Sequence, residues 1–443
     1  MVAVTAPCEP TPPGPAPDPA AEVAAWAASG AMWLTGPADA APLGPPSGLG
    51  PKLRAVAAIL SDRAATLGGR LDVEPLAVLG HRAAIAGLRR QGTTSCGGAT
   101  RLLPARDGWL AVSLARPSDV DLVPAWLETD DPPAPEAAPT SDDVWARVAA
   151  RVAASPVGPT LERAHLLGLP AAALPDRLPA PVVAPPPLAP LPVHAIEVPS
   201  AIADAPPPAS LDGIVVVDLS SLWAGPLAGA LLATAGATVV KVESTGRPDG
   251  ARRGPAAFFD LLNGGKRSVA LDLGAAEGVR LLRALLTRAD VVIEASRPRA
   301  LEQLGVDALG LLSAGGPRVW VSITGHGRTG PGRDRVGFGD DAAVAGGLVC
   351  RHGDRPVFCA DAIADPTSGM VAAAATLDAL SVGGRWLLDV AMSGVAAHLA
   401  GPTLRAGDPS PLAAPPSVPH AAGPGPRLGE HTGSVLAELG LSP

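Results

Sequence analysis

The chain has 443 residues, 47% of them hydrophobic and 17% charged, which exceeds one core and supplies enough apolar side chain for two or more domains. A net charge of −8 without any long basic run excludes the electrostatic footprint of nucleic-acid binding. No apolar run reaches the roughly 20 residues of a membrane span, so a soluble, cytoplasmic chain with no membrane partner is expected.

Along the chain, prolines mark the boundaries. The first 20 residues are proline-rich rather than a signal-peptide core, and proline stretches fall at 9–19, 132–139 ("PPAPEAAP") and 178–210. The last predicts a semi-rigid interdomain linker. Between them, residues 20–177 read mainly as helices, such as "SDDVWARVAARVAAS" with Ser141 as N-cap, around a strand at 108–115, "GWLAVSLA". This half is expected to be α+β or mostly α. The four cysteines, Cys8, Cys96, Cys350 and Cys359, have no metal-ligand spacing, so no metal is expected.

Residues 211–400 alternate strand and helix. "IVVVDLS" (214–220) predicts a strand, "GPLAGALLATAG" a helix closed by Gly236, and "TVVKVES" (238–244) a strand. Strands at "RSVALDL", "DVVIEAS" and "RVWVSIT" follow, with helices over "AAEGVRLLRALLTRA" and "PRALEQLG" between them. The alternation implies a mostly parallel, Rossmann-like sheet, an α/β domain beside a smaller α+β domain. No GxGxxG follows a first strand and no GxxxxGK[ST] occurs, so dinucleotide and nucleotide-hydrolase readings lack a motif. Residues 401–443 read as a further proline-rich segment and a C-terminal tail.

One short stretch carries chemistry. In "CADAIADPTSGMVAAAATLDAL" (359–380) an aspartate, a proline and two hydroxyls head an alanine- and leucine-rich run. Asp365 suits an N-cap, with Pro366 in the first turn and the Ser368 amide as its donor. The same unpaired amides and helix dipole also stabilise an ionised carboxylate, which makes Asp365 a candidate nucleophile.

The motifs "LDGIVVVDLSSLWAGPLAGALLATAGATVVKVE", "LNGGKRSVALDL", "ADVVIEASRPRALEQLG", "PRVWVSITGHGRTGP" and "IADPTSG", with the tail "GPRLGEHTGSVLAELGLSP", resemble the family III CoA-transferases. Formyl-CoA transferase, carnitine CoA-transferase and α-methylacyl-CoA racemase belong to that superfamily. The resemblance implies a CoA-transferase that uses CoA and acyl-CoA as substrates, takes a carboxylic acid as partner and forms a homodimer, with Asp365 as nucleophile and an aspartyl-CoA thioester as intermediate. It places CoA contacts at Trp223, Ala224, Asn263, Lys266, Arg297, Gly325 and His326, where Lys266 and Arg297 would supply charge for the phosphates.

Two departures stand out: Gln303 replaces an arginine found in many members, and "EASRP" replaces an aromatic version of that loop. Gly339, in "VGFGDDAAVAGG", stands where the racemase branch carries a histidine, which disfavours racemisation. His352 reads as a loop residue. A non-catalytic CoA-binding remnant and an acyl-CoA racemase or isomerase are the alternatives to the transferase.

Upstream, residues 28–49, 91–118 and 162–175 resemble family segments that normally follow the nucleophile region. A permuted chain is therefore expected, with "SCGGAT" as the family's glycine loop. Its Gly97 and Gly98 amides are candidate oxyanion donors close to Asp365. Cys96 beside them is expected as a small buried thiol.

Overall fold

The computed structural model describes residues 18–129, 142–200, 205–405, 407 and 411–441. Cys8, Ser141, the 132–139 proline stretch and residues 9–17 lie outside them. In the upstream half, strands β1 (Thr100–Ala105), β2 (Gly108–Ser113) and β3 (Ala171–Ala173) form an antiparallel sheet in that order. Apolar residues at helical spacing in Asp142–Ala153 bury Val144, Trp145, Val148 and Val152 against it. Here Arg101 of β1 stacks on Trp145, its Cζ 5.0 Å from the ring centroid.

The large sheet contains β4 (His194–Glu197), β5 (Val215–Asp218), β6 (Thr238–Ser244), β7 (Arg267–Leu271), β8 (Val291–Glu294) and β9 (Val319–Thr324). The strands β10 (Val349–His352) and β11 (Arg355–Phe358) make a separate hairpin, and β12 (Trp386–Ala391) returns to the sheet. Sheet order is β4-β12-β9-β8-β5-β6-β7, with every pairing parallel except β4 on β12. The valine- and isoleucine-rich runs that predict these strands are buried on both faces, as a helix-covered parallel sheet requires. Gly236 closes the helix Ala224–Ala235 at φ 119°, in the left-handed region.

The stretch 178–210 differs from the expected linker. It contributes β4, which pairs Ala195 with Leu388, and it buries Ala184, Leu188, Leu191 and Val193 in the main core. Proline content signals the absence of helix equally in a spacer and in a chain pinned to a sheet edge, so composition alone does not separate them.

The halves pack together within one chain. The helix Leu49–Thr66 lies on the helix Ala364–Val382, where Arg63 pairs with the buried Asp378 at 2.8 Å and the Ala189 amide donates to the same carboxylate. The Lys52 ammonium donates to the His398 carbonyl at 2.7 Å, and the Phe358 amide to the Gly92 carbonyl at 3.0 Å. At the other end, the tail helix Thr432–Glu438 covers β7 with Val435 and Leu436.

Candidate active site

Asp365 lies in the first turn of the helix Ala364–Val382, but it is not the N-cap. The chain leaving β11 turns through Ala360 and Ala362, both in the left-handed region at φ 53° and 41°. Ile363 then starts the helix, and the Asp365 amide donates to the Ala362 carbonyl at 2.9 Å. The capping expectation fails because this strained turn begins the helix two residues early. The half-buried Asp365 carboxylate instead accepts the Gly339 amide.

Around it sit three groups that sequence reasoning did not single out. Asp361 pairs with Arg82 through two hydrogen bonds, Nε to Oδ2 at 2.8 Å and Nη2 to Oδ1 at 2.5 Å. Asp340 accepts from the Ala362 amide at 3.2 Å and the Thr100 hydroxyl at 3.4 Å. Burial pushes the Asp365 carboxyl up to about 7, and Asp340 and Asp361 push the same way against Arg82 and the Gly339 amide. Asp340 rises to about 6, by burial first and by Asp361 second. Its neighbour Asp341 rises to about 7 through burial, although the Phe338 amide and the Ser113 hydroxyl donate to it. Asp340 and Asp361 lie in stretches already quoted for their motifs; Arg82 carries no local signal.

Gly97 and Gly98 arrive at this turn from the upstream half. A Cβ built on Gly97 would lie 3.6 Å from Arg82 Nη2, and Cys96 Sγ lies 3.5 Å from the Ala360 carbonyl. Cys96 is buried, and burial holds its thiol well above the usual range. The glycine segment is a tight turn here: the Gly98 amide closes it onto the Ser95 carbonyl at 2.8 Å, so that amide is unavailable to an oxyanion in this conformation.

Trp223 and Ala224 begin the helix that crosses the helix Ala364–Val382 at Gly369, where a Cβ would meet the Ala224 carbonyl at 2.6 Å. The Trp223 ring takes Phe258 edge-on at 5.4 Å and Arg82 over its face at 5.2 Å. These residues therefore share the Asp365 corner. Lys266 does not. Its ammonium is fully enclosed, paired with Asp218 at 2.8 Å and donating to the Pro226 carbonyl. Phosphate contact is closed to it in this conformation, and so is a solvated surface position. Beside it the buried Lys241 pairs with Asp249 at 2.8 Å, and the Asp249 carboxylate also holds the Leu222 amide, so this network shapes the loop before Trp223. Asn263 is likewise internal, donating to the Phe259 carbonyl of its own helix.

Arg297 opens onto a separate cleft of about 640 Å³ between the halves, with Arg116, Arg299, Arg335, Asp334 and His165 among its walls. Burial and the neighbouring Arg299 and Arg116 charges lower the Arg297 pKa, a sign of unneutralised positive charge. Gly325 and His326 do not line this cleft, although the Arg335 charge acts on His326. Gly325 packs against the Gly337 backbone, and His326, neutralised by burial with its pKa near 4, leaves Nε2 without a partner among the described residues. Arg116 also stacks on Phe338, at 5.9 Å, and Phe338 precedes the glycine whose amide holds Asp365. The loops after β5, β8 and β9 thus all face the carboxyl edge of the sheet, where open α/β sheets bind ligands.

A model of CoA-transferase family III matches residues 211–424, which include Asp365 and this edge of the sheet. That part of the chain is similar to CoA-transferase family III. Among family III relatives, the chain is 37% identical over 161 residues to succinyl-CoA–D-citramalate CoA-transferase of Chloroflexus aurantiacus, covering 34% of this chain and 40% of that one. It is 36% identical over 186 residues to succinate–glutarate CoA-transferase of Agrobacterium fabrum, covering 38% and 46%. A third, (R)-2-hydroxy-4-methylpentanoate CoA-transferase of Clostridioides difficile, is 34% identical over 185 residues, covering 38% and 46%. The chain spans less than half the length of each.

Proposed function

We propose that the protein moves CoA from an acyl-CoA to a carboxylic acid, with Asp365 as the nucleophile. The observation that carries this reading is the Asp365 carboxylate itself, half-buried in the first turn of its helix and held by the Gly339 amide, with the Arg82 charge beside it. Its chemistry balances without a metal or redox partner. The carboxylate attacks the thioester carbonyl, releasing CoA thiolate and leaving an acyl-aspartyl anhydride. The thiolate then attacks the aspartyl carbonyl, expels the donor acid and forms an aspartyl-CoA thioester. An acceptor carboxylate repeats the sequence in reverse, which regenerates Asp365 and yields the new acyl-CoA.

The cleft around Arg116, Arg297, Arg299 and Arg335 suits the phosphates of CoA, and it adjoins the Phe338–Gly339 segment that leads to the nucleophile. Residues 20–177, in this reading, take the place of family parts that elsewhere follow the nucleophile. Their support is the packing of Arg82, Cys96 and Gly97 onto the 360–365 turn. The site works in a homodimer or a single chain, since both halves of it come from one chain here.

Racemisation has less support. A side chain at Gly339 would meet the Ala362 carbonyl at 2.4 Å and Asp365 Oδ2 at 2.5 Å, so the second acid/base of a racemase has no room there. Kinetics on Asp365→Asn test the proposal: CoA transfer from succinyl-CoA disappears while CoA affinity stays within a few-fold. Retained turnover would move the chemistry to another residue.

A further inference from the structure

Arg82 comes from the short helix His81–Ala86 of the upstream half, outside the segment that matches family III. It reaches the nucleophile turn with a side chain that is 30% exposed, against 0% for its partner Asp361. Three contacts fix it. Both ends of its fork engage Asp361, its face lies 5.2 Å from the Trp223 ring centroid, and Gly97 leaves room beside it, since a Cβ there would stand 3.6 Å from its Nη2. No carboxylate of the cluster except Asp361 takes its hydrogen bonds, so its effect on Asp365 runs through charge and position rather than contact.

We propose that Arg82 is the positioning residue of this site: it clamps the Asp361 turn and the Trp223 ring together and supplies the positive charge that keeps the Asp365 nucleophile ionised among neighbouring carboxylates. The proposal rests on Asp365 being the nucleophile. The charged groups facing Asp365 are Arg82 from its helix, Asp340 from the helix Gly339–Ala345 and Asp361 from its own turn. Cys96 on the glycine turn is held neutral, as is Asp341 below pH 7. Two carboxylates against one guanidinium leave a net negative surrounding, so losing the Arg82 charge must raise the Asp365 pKa and losing the Asp361 charge must lower it.

A merely structural ion pair predicts something else, because losing either partner then loosens the same turn. The test is a carbon-13 NMR titration of the full-length chain labelled at aspartate carboxyl carbons, with the Asp365 resonance assigned by its absence in Asp365→Asn. Arg82→Gln raises the Asp365 midpoint by about one pH unit, Asp361→Asn lowers it by about one, and Arg82→Lys stays near wild type. Transfer assays with succinyl-CoA then show the acidic limb of kcat moving with the NMR midpoint in each variant. Midpoints that stay put, or that shift the same way in Arg82→Gln and Asp361→Asn, overturn the proposal. If Arg82→Gln does not fold, Arg82→Lys and Asp361→Asn still decide, since the proposal requires only the second to move. A wild-type protein that transfers no CoA would instead defeat the nucleophile reading, while the titration still reports on Arg82.

Discussion

Gly339 sets the geometry of the Asp365 carboxylate, the proposed nucleophile. Its amide donates to Asp365, and the space where a Cβ would stand is already filled by the Ala362 carbonyl and Asp365 Oδ2. Gly339→Ala is therefore expected to displace the carboxylate, cutting transfer sharply and costing about 1–3 kcal/mol of stability, readable by paired kinetics and denaturant unfolding. Full activity in that variant would mean that the turn relaxes without moving Asp365. Asp365 also illustrates the limit of a local pattern. Asp-Pro-Thr-Ser at a helix start predicts a cap, and the sequence window does not reveal that Ala360 and Ala362 begin the helix earlier and free the carboxylate.

Among the elements, β5 and β6 carry charges that hold the loop before Trp223. Lys266 reaches Asp218 at the end of β5, Lys241 of β6 reaches Asp249, and both pairs are fully enclosed. Lys266 and Lys241 hold the Asp218 carboxyl below its ordinary range although burial opposes them. Lys266→Ala leaves Asp218 with less compensation in the interior, so a loss of about 3–5 kcal/mol is expected in denaturant unfolding. A variant as stable as wild type that has lost CoA affinity would restore Lys266 to a phosphate contact. From sequence, "NGGK" offers a cation beside glycines, and burial is what decides between ligand and core.

At the scale of the molecule, a buried hydroxyl and a buried carboxylate are among the contacts that join the halves: Ser113 of β2 donates to Asp341 at 3.0 Å. Asp341 has a folded pKa of about 7, above its unfolded value of about 3.9, so the folded chain binds the extra proton. Its contribution is fully present below about pH 4, falls as the pH rises to about 7 and is constant beyond. Asp341→Asn, neutral throughout, is expected to flatten the fall of Tm across that window; an unchanged slope would show that Asp341 ionises freely. Strand and helix alternation made the parallel sheet legible, because period and valine content report burial directly. The junction of the halves was legible only as a resemblance, since Arg82 and Asp361 stand 279 residues apart and no local pattern links them. The edge strand β4 stayed hidden for a simpler reason, four residues within a proline-rich run.

Covalent trapping reads out whether CoA passes through Asp365. The full-length protein is incubated with succinyl-CoA, quenched with hydroxylamine and digested for mass spectrometry of the peptide containing residues 359–380. The account predicts a hydroxamate on Asp365 that forms only with the acyl-CoA present and is absent from Asp365→Asn. A hydroxamate on another carboxylate, or continued CoA transfer with Asp365 unmodified, would contradict it.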